Sequence, residues 1–382
     1  MKLTFMTITI ICIVIFSMSY AYSQEMGLAT FQEIAQVIVD KSISQNVTAS
    51  ITLQSTSIQE IKIPAELEQK IRENDKITAI TITNQNQCIL GVNNESCVLI
   101  NVKRNLEDRD FLQIQNSTRA VANTIIDDIN QAFDVSAEFH STFIHTNDQT
   151  SAALETSGIV SGKGTVSAVY TMPMEDTSSM YEKMSAMLIP RVIRDAGGFY
   201  EVAKKLSTHE NSKMTFSILP TKNSSLLQLR VSENYPERAP IIEKISPLEF
   251  LDVKELKRSE YFSGGFYPLN SLLQIVVLSP EKTRVSQIQG NVIPTEIIDG
   301  EKIPTEITKS GWVFDPDEGT RIQGKYIFGK ESAVQEKELV FSLGDEQIQT
   351  QKPDEFGEIP IVIIIVAIAG AAAVFYLKGY KK

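Results

Sequence analysis

Residues 359–377 carry no charged side chain over 19 positions, and this run constrains the chain more than any other stretch. About 20 apolar helical residues cross a hydrocarbon core of about 30 Å, so the run reads as one C-terminal transmembrane helix. Lys378, Lys381 and Lys382 follow it with no acid among them, which makes 378–382 a basic cytoplasmic tail and places everything before Glu358 outside. The N-terminus agrees. Met1-Lys2, an apolar stretch from Leu3 to Phe16, and small residues at Ser19, Ala21 and Ser23 follow the order of a secretory signal peptide over 1–23. Cleavage after Ala21 or Ser23 fits that order, and an uncleaved N-terminal anchor is the alternative.

Ahead of the apolar run stands Pro353-Asp354-Glu355-Phe356-Gly357-Glu358. With Pro353, Glu355, Phe356 and Gly357 before an apolar helix and a basic end, the tail resembles the C-terminal sorting signal of archaeal PEFG-type surface proteins. Asp354 is the departure, since it separates Pro353 from Glu355. The resemblance covers residues 353–382 only. It implies recognition by an archaeosortase-like membrane peptidase, removal of the apolar run, and transfer to a lipid or glycan anchor at the cell surface. A plain single-pass anchor, never cleaved, is the competing reading of the same residues.

Composition bounds what lies between the two termini. Four of the 36 basic residues sit in the terminal segments, which contain no acid, so 32 basic residues face 47 acidic ones in the exported part, a net charge of −15. That balance argues against nucleic acid or an anionic lipid surface as partner. More than 300 residues exceed what one core usually supports, so two domains are expected. Over 24–233, Leu28, Phe31, Ile34, Ala35 and Ile38 recur at helical spacing, as do Val121, Ile125, Ile129 and Phe133, and Pro64 opens a short helix to Arg72. Strand patterns at Thr78–Thr83 and Val135–Phe143, and the pair Met214, Phe216, Ile218 with Leu227, Leu229, Val231, read as hairpins. The fold class expected here is therefore an α+β ectodomain with antiparallel sheet. From 234 to 344 prolines punctuate short strands, with one helical candidate from Pro247 to Arg258, so this part reads as a β-rich membrane-proximal domain. Ile293-Pro294-Thr295-Glu296-Ile297 recurs as Ile303-Pro304-Thr305-Glu306-Ile307, a pattern for a hairpin turned at Asp299-Gly300. Residues 345–358 form an acidic spacer.

Only Cys88 and Cys97 remain after export, within Gln87–Ile100. Two β-rich runs flank Gly-Val-Asn-Asn, and a hairpin with Leu90 facing Glu95 places Cys88 opposite Cys97, within reach of a disulfide. The oxidising exterior permits such a bond. Four N-x-S/T sequons make Asn46, Asn94, Asn116 and Asn223 candidate glycosylation acceptors, with Asn94 and Asn223 in expected turns.

Catalytic motifs are sparse. Gly158–Thr165 falls one residue short of phosphate-loop spacing, His209-Glu210 lacks the second histidine of a zincin helix, and no G-x-S-x-G occurs. Glu138 and His140 share a strand face as weak metal ligands, whereas His145, five residues from His140, falls on the opposite face unless a bulge intervenes. Asp315 and Asp317 are weak calcium ligands in a sequence without EF-hand spacing. Met180, Met184, Met187 and Leu188 follow the core stripe of a helix begun at Ser179, a better reading than a copper(I) site. No cofactor is expected. The chain reads as a surface-anchored structural or interaction module of an archaeal envelope, with the membrane, other envelope proteins or glycans as partners. The alternatives are an anchored extracellular hydrolase using Glu138, His140 and Asp148, and an extracellular solute or metal binder.

Overall fold

A computed structural model describes residues 31–42, 44–56, 63–84, 95–105, 109–146, 159–160, 163–188, 198–222, 224–239, 244–257, 269–278, 284–289, 306–307, 312–315, 321–328, 333–335 and 339–344. Twelve strands form one sheet: β1 (Phe31–Asp40), β2 (Val47–Thr56), β3 (Ile77–Thr83), β4 (Glu95–Asn105), β5 (Glu138–Thr146), β6 (Lys163–Pro173), β7 (Ser212–Pro220), β8 (Ser225–Tyr235), β9 (Leu269–Leu278), β10 (Glu306–Ile307), β11 (Trp312–Asp315) and β12 (Arg321–Ile327). Their spatial order is β10-β11-β12-β9-β1-β2-β8-β7-β3-β4-β6-β5. Every neighbour is antiparallel except β1 and β9, which run parallel with Val37 opposite Ile275. Five helices accompany the sheet: α1 (Ala65–Glu73), α2 (Phe111–Asn123), α3 (Ile126–Phe133), α4 (Thr177–Leu188) and α5 (Phe199–Ser207). Small ribbons pair Lys244–Ile245 and Arg284–Gln289 with Leu339–Gly344, Glu255–Lys257 with Ala333–Gln335, and Arg109–Asp110 with Ile159–Val160.

Alternation along each strand decides the two faces of the sheet. One face carries Val37 and Val39, Ala49 and Ile51, Leu229 and Val231, Phe216 and Ile218, Ile80 and Ile82, and Val98 and Ile100, all without solvent access. Helices cover that face with Leu67 and Ile71 of α1, Ile129 and Phe133 of α3, Met180 and Met184 of α4, and Phe199 and Leu206 of α5. The Phe133 ring lies 5.6 Å from that of Phe216. The other face is polar, and its residues hydrogen-bond to the residue directly opposite: Gln36 donates to Gln274 (3.0 Å), Thr48 to Asn234 (2.8 Å) and Ser167 to Asn101 (2.7 Å). The hydroxyls of Thr83 and Thr215 meet at 3.0 Å. Such directly opposed pairs fix register as well as adding stability.

Several expectations from the sequence are corrected. The sheet is mixed, not antiparallel, and it does not stop where a second β-rich unit was expected. Strands β9 and β12 extend it beyond β1, and Leu273, Ile275, Val277, Tyr326 and Phe328 belong to the same core as the helices. The helix expected over 28–38 is a strand across its described part: Ala35 lies on the apolar face, whereas Ile34 and Ile38 stand among Gln32, Gln36 and Asp40 on the other, and together they gave the helical spacing. The helix expected over 247–258 is a single 3-10 turn, Glu249–Leu251, ended by Asp252 in the left-handed region (φ 52°), and then a strand. No helix among the described residues is long and apolar enough to cross a membrane. The expected C-terminal transmembrane helix falls at 359–377, and residues 345–382 lie outside the described residues.

Helix α4 keeps its expected core stripe but not its expected cap. Met180, Met184 and Leu188 are fully buried and Met187 is partly buried. The cap is Asp176, whose Oδ2 accepts the Ser179 N–H at 3.2 Å. Because Met184 stands at the centre of that stripe, Met184→Ala should cost about 2–4 kcal/mol in chemical denaturation. A loss below about 0.5 kcal/mol would place its side chain outside the core.

Candidate functional site

Most strand residues on the apolar face are hydrocarbon, but β8 continues its inward phase past Leu227, Leu229 and Val231 to Glu233 and Tyr235. A carboxylate at such a position needs partners, since an unpaired buried charge is costly. Its first partner is His209, in the tight turn that joins α5 to β7, where the His209 N–H reaches the Leu206 carbonyl and the Ser212 N–H returns to the His209 carbonyl. His209 Nδ1 lies 2.5 Å from Glu233 Oε2. The Tyr235 hydroxyl lies 2.8 Å from the same oxygen and 3.0 Å from the Phe250 carbonyl, one proton between two acceptors. On its other side, His209 Nε2 is 3.7 Å from Asp252 Oδ2. Lys205 Nζ of α5 completes the set, 2.7 Å from Asp252 Oδ2 and 2.5 Å from the Asp252 carbonyl.

The site therefore grades from inside to outside. Glu233 is 9% exposed, His209 27% and Asp252 49%. The Lys205 hydrogen bond holds the Asp252 carboxyl below its usual range, and His209 adds to this. Burial, and then Glu233, push the Tyr235 phenol well above its ordinary value. Asp252 thus contributes stability above the usual carboxylate range, and that contribution is lost as pH falls through its lowered value. Glu233 before Nδ1 and Asp252 beyond Nε2 tie His209 to β8 and to the residue that ends the 3-10 turn. The cluster clamps the end of α5 to β8 and to the 3-10 turn, and the Tyr235 and Phe250 rings pack edge to face at 5.0 Å beside it. Sequence reasoning weighed His209 only against zincin spacing. Glu233 at an inward strand position was the signal that could have revealed the cluster.

The residues singled out from sequence are scattered. Glu138 and His140 are exposed on β5, an edge strand of the sheet, and a bulge between Phe139 and Ser141 takes up His140. That bulge changes the strand phase on which the separation of His140 from His145 was argued. Asp148 and Asp317 lie outside the described residues, and the backbone of Asp315 pairs with Arg321 at the end of β11. Among the described residues no three His, Cys, Asp or Glu side chains are grouped to hold a metal. Cys97 is fully buried on β4 and packs on Val169. Its strand neighbours are Thr83 and Thr171, so the hairpin expected over 87–100 gives way to β3 paired with β4, and Cys88 lies outside the described residues. Asn46 stands before β2 and Asn116 is exposed on α2, while Asn94, Asn223 and Pro353, Glu355, Phe356 and Gly357 lie outside the described residues.

His209→Ala would leave Glu233 with a buried carboxylate and one partner fewer. We expect a loss of about 1–3 kcal/mol in urea titrations at neutral pH, and an unchanged midpoint would show that the clamp carries no load. No protein-family model matches the chain, and no curated protein matches it significantly.

Proposed function

We propose that the chain is an exported, acidic structural or interaction module of an archaeal-type cell envelope, sorted by its tail and retained at the cell surface after processing. What supports this reading is the sequence of the two ends, an apolar run closed by Ser19, Ala21 and Ser23 and an uncharged run over 359–377 behind Glu355-Phe356-Gly357, together with buried Cys97, for which we propose a disulfide, a bond that persists in an oxidising exterior and is rare in a reducing cytosol. Cys88, the other cysteine of the exported part, is its proposed partner. The polar cluster of His209 with Glu233, Tyr235, Asp252 and Lys205 supports an interaction module over an enzyme, because Glu233 is met by His209 and Tyr235 and Asp252 by Lys205. Contacts of such an acidic surface are with envelope proteins or glycans, not with nucleic acid. An archaeosortase-like peptidase acting at Glu355-Phe356-Gly357 is the proposed processing partner, on the strength of the tail's sequence alone.

Mass spectrometry of the native protein, purified without reductant from its own cell envelope, tests this directly. The expected product begins after Ala21 or Ser23, lacks residues 359–382, and is lighter by two hydrogens through a Cys88–Cys97 bond. A cytosolic chain with both thiols free to alkylation would overturn the proposal.

A further inference from the structure

Four sequons are equivalent as sequence, but the fold treats their hydroxyl residues differently. N-glycosylation needs the acceptor amide and the hydroxyl two residues on to be presented together on an accessible surface segment. Ser96, Thr118 and Ser225, the hydroxyl residues of the sequons at Asn94, Asn116 and Asn223, are each 0% exposed. Ser96 Oγ is moreover engaged by the Glu175 N–H at 3.3 Å. Asn116 shows the conflict most directly. It is exposed on α2, yet residues two apart on a helix point about 200° from each other, so its amide faces water while Thr118 faces inward.

Asn46 differs in the exposure of its hydroxyl residue. It continues the β1–β2 register, since the Asp40 N–H donates to its carbonyl at 2.9 Å, and in extended backbone residues two apart share a face. Thr48 is half-buried, and its hydroxyl makes an exposed hydrogen bond to Asn234 Oδ1. The preceding turn is held open in one shape. The Asp40 carboxylate accepts the N–H and hydroxyl of both Ser42 (2.8 and 2.6 Å) and Ser44 (3.1 and 2.7 Å), and Gln45 adopts φ 51°. Ser44 Oγ also lies 2.6 Å from Asn46 Oδ1, its one proton standing between two acceptors.

We propose that Asn46 is the one sequon of the four that the folded protein can present for N-glycosylation, and that Asn94, Asn116 and Asn223 are closed by their buried hydroxyl partners. The proposal rests on the exported location argued above, because that is where the transferase and its donor are found. In the reaction Asn46 Nδ2 attacks C1 of a polyprenyl-diphosphate-linked oligosaccharide. The N–C1 bond forms, the C1–O bond to the carrier breaks, the diphosphate leaves with the electron pair, and an amide proton passes to a carboxylate of the transferase.

The test uses the folded full chain in detergent with a single-subunit oligosaccharyltransferase and that donor, beside four synthetic peptides each carrying one sequon. Glycopeptide mass spectrometry should find Asn46 modified at a rate near that of its peptide. The other three should be slowed about tenfold or more, because each requires local opening of the fold. Thr48→Val should abolish modification and Thr48→Ser should retain it. A bare Asn46 in the folded chain, or Asn116 modified as fast there as in its peptide, would overturn the assignment. Both results are read in vitro, so they stand apart from whether the native chain is exported.

Discussion

The parallel pairing of β1 with β9 is the constraint on which the rest of the fold depends. What is described between these strands in sequence, chiefly β2, the three hairpins β3–β4, β5–β6 and β7–β8, and five helices, is in effect one crossover connection. The two strands are tied by buried hydrogen bonds between residues 238 positions apart, Gln36 to Gln274 on the polar face and Ser271 to Glu33 on the apolar side. Both pairs lie directly opposite each other in the register. A one-residue slip would reverse both faces and strand Glu33 without Ser271, so these bonds specify the alignment more than they add stability. Loop closure over such a separation comes late and is costly, so the C-terminal strands should dock after the hairpins have formed.

From that pairing follows a division of labour between the two faces of the sheet. The apolar face is sealed by helices, and where its strand phase carries a carboxylate, Ser271 meets Glu33 and a histidine and a tyrosine meet Glu233. The polar face is knit by hydroxyl and amide pairs. Edge strand β5 carries the bulge at His140, a feature that disfavours unplanned strand addition. The same sorting decides chemistry at the sequons. Inward strand or helix positions bury the hydroxyls of Ser96, Thr118 and Ser225, and only the β1–β2 turn leaves its sequon outside.

Local pattern was legible where local forces decide. The register of Met214, Phe216 and Ile218 against Val231, Leu229 and Leu227 is as the alternation implied, and the α4 stripe was visible from methionine spacing. Distant pairing was not. Nothing near Phe31–Asp40 points to Leu269–Leu278, and a strand with Ile34 and Ile38 on its polar face reads at helical spacing as readily as at its own. The proline-rich region looked like a separate unit because prolines mark turns and say nothing of which sheet the intervening strands join. The His209 cluster was hidden for a related reason, since its members come from a helix-end turn, a strand end and a 3-10 turn. Its one local trace is an acid on an apolar strand phase.

The central claim is that residues on both sides of the proline-rich boundary form one cooperative sheet. Native-state hydrogen exchange on peptides covering 31–40 and 269–278 tests it most directly. The account predicts equal, high protection in both segments, lost together as denaturant approaches the unfolding midpoint. Protection of 269–278 that is lost separately, while 31–40 stays closed, would contradict it.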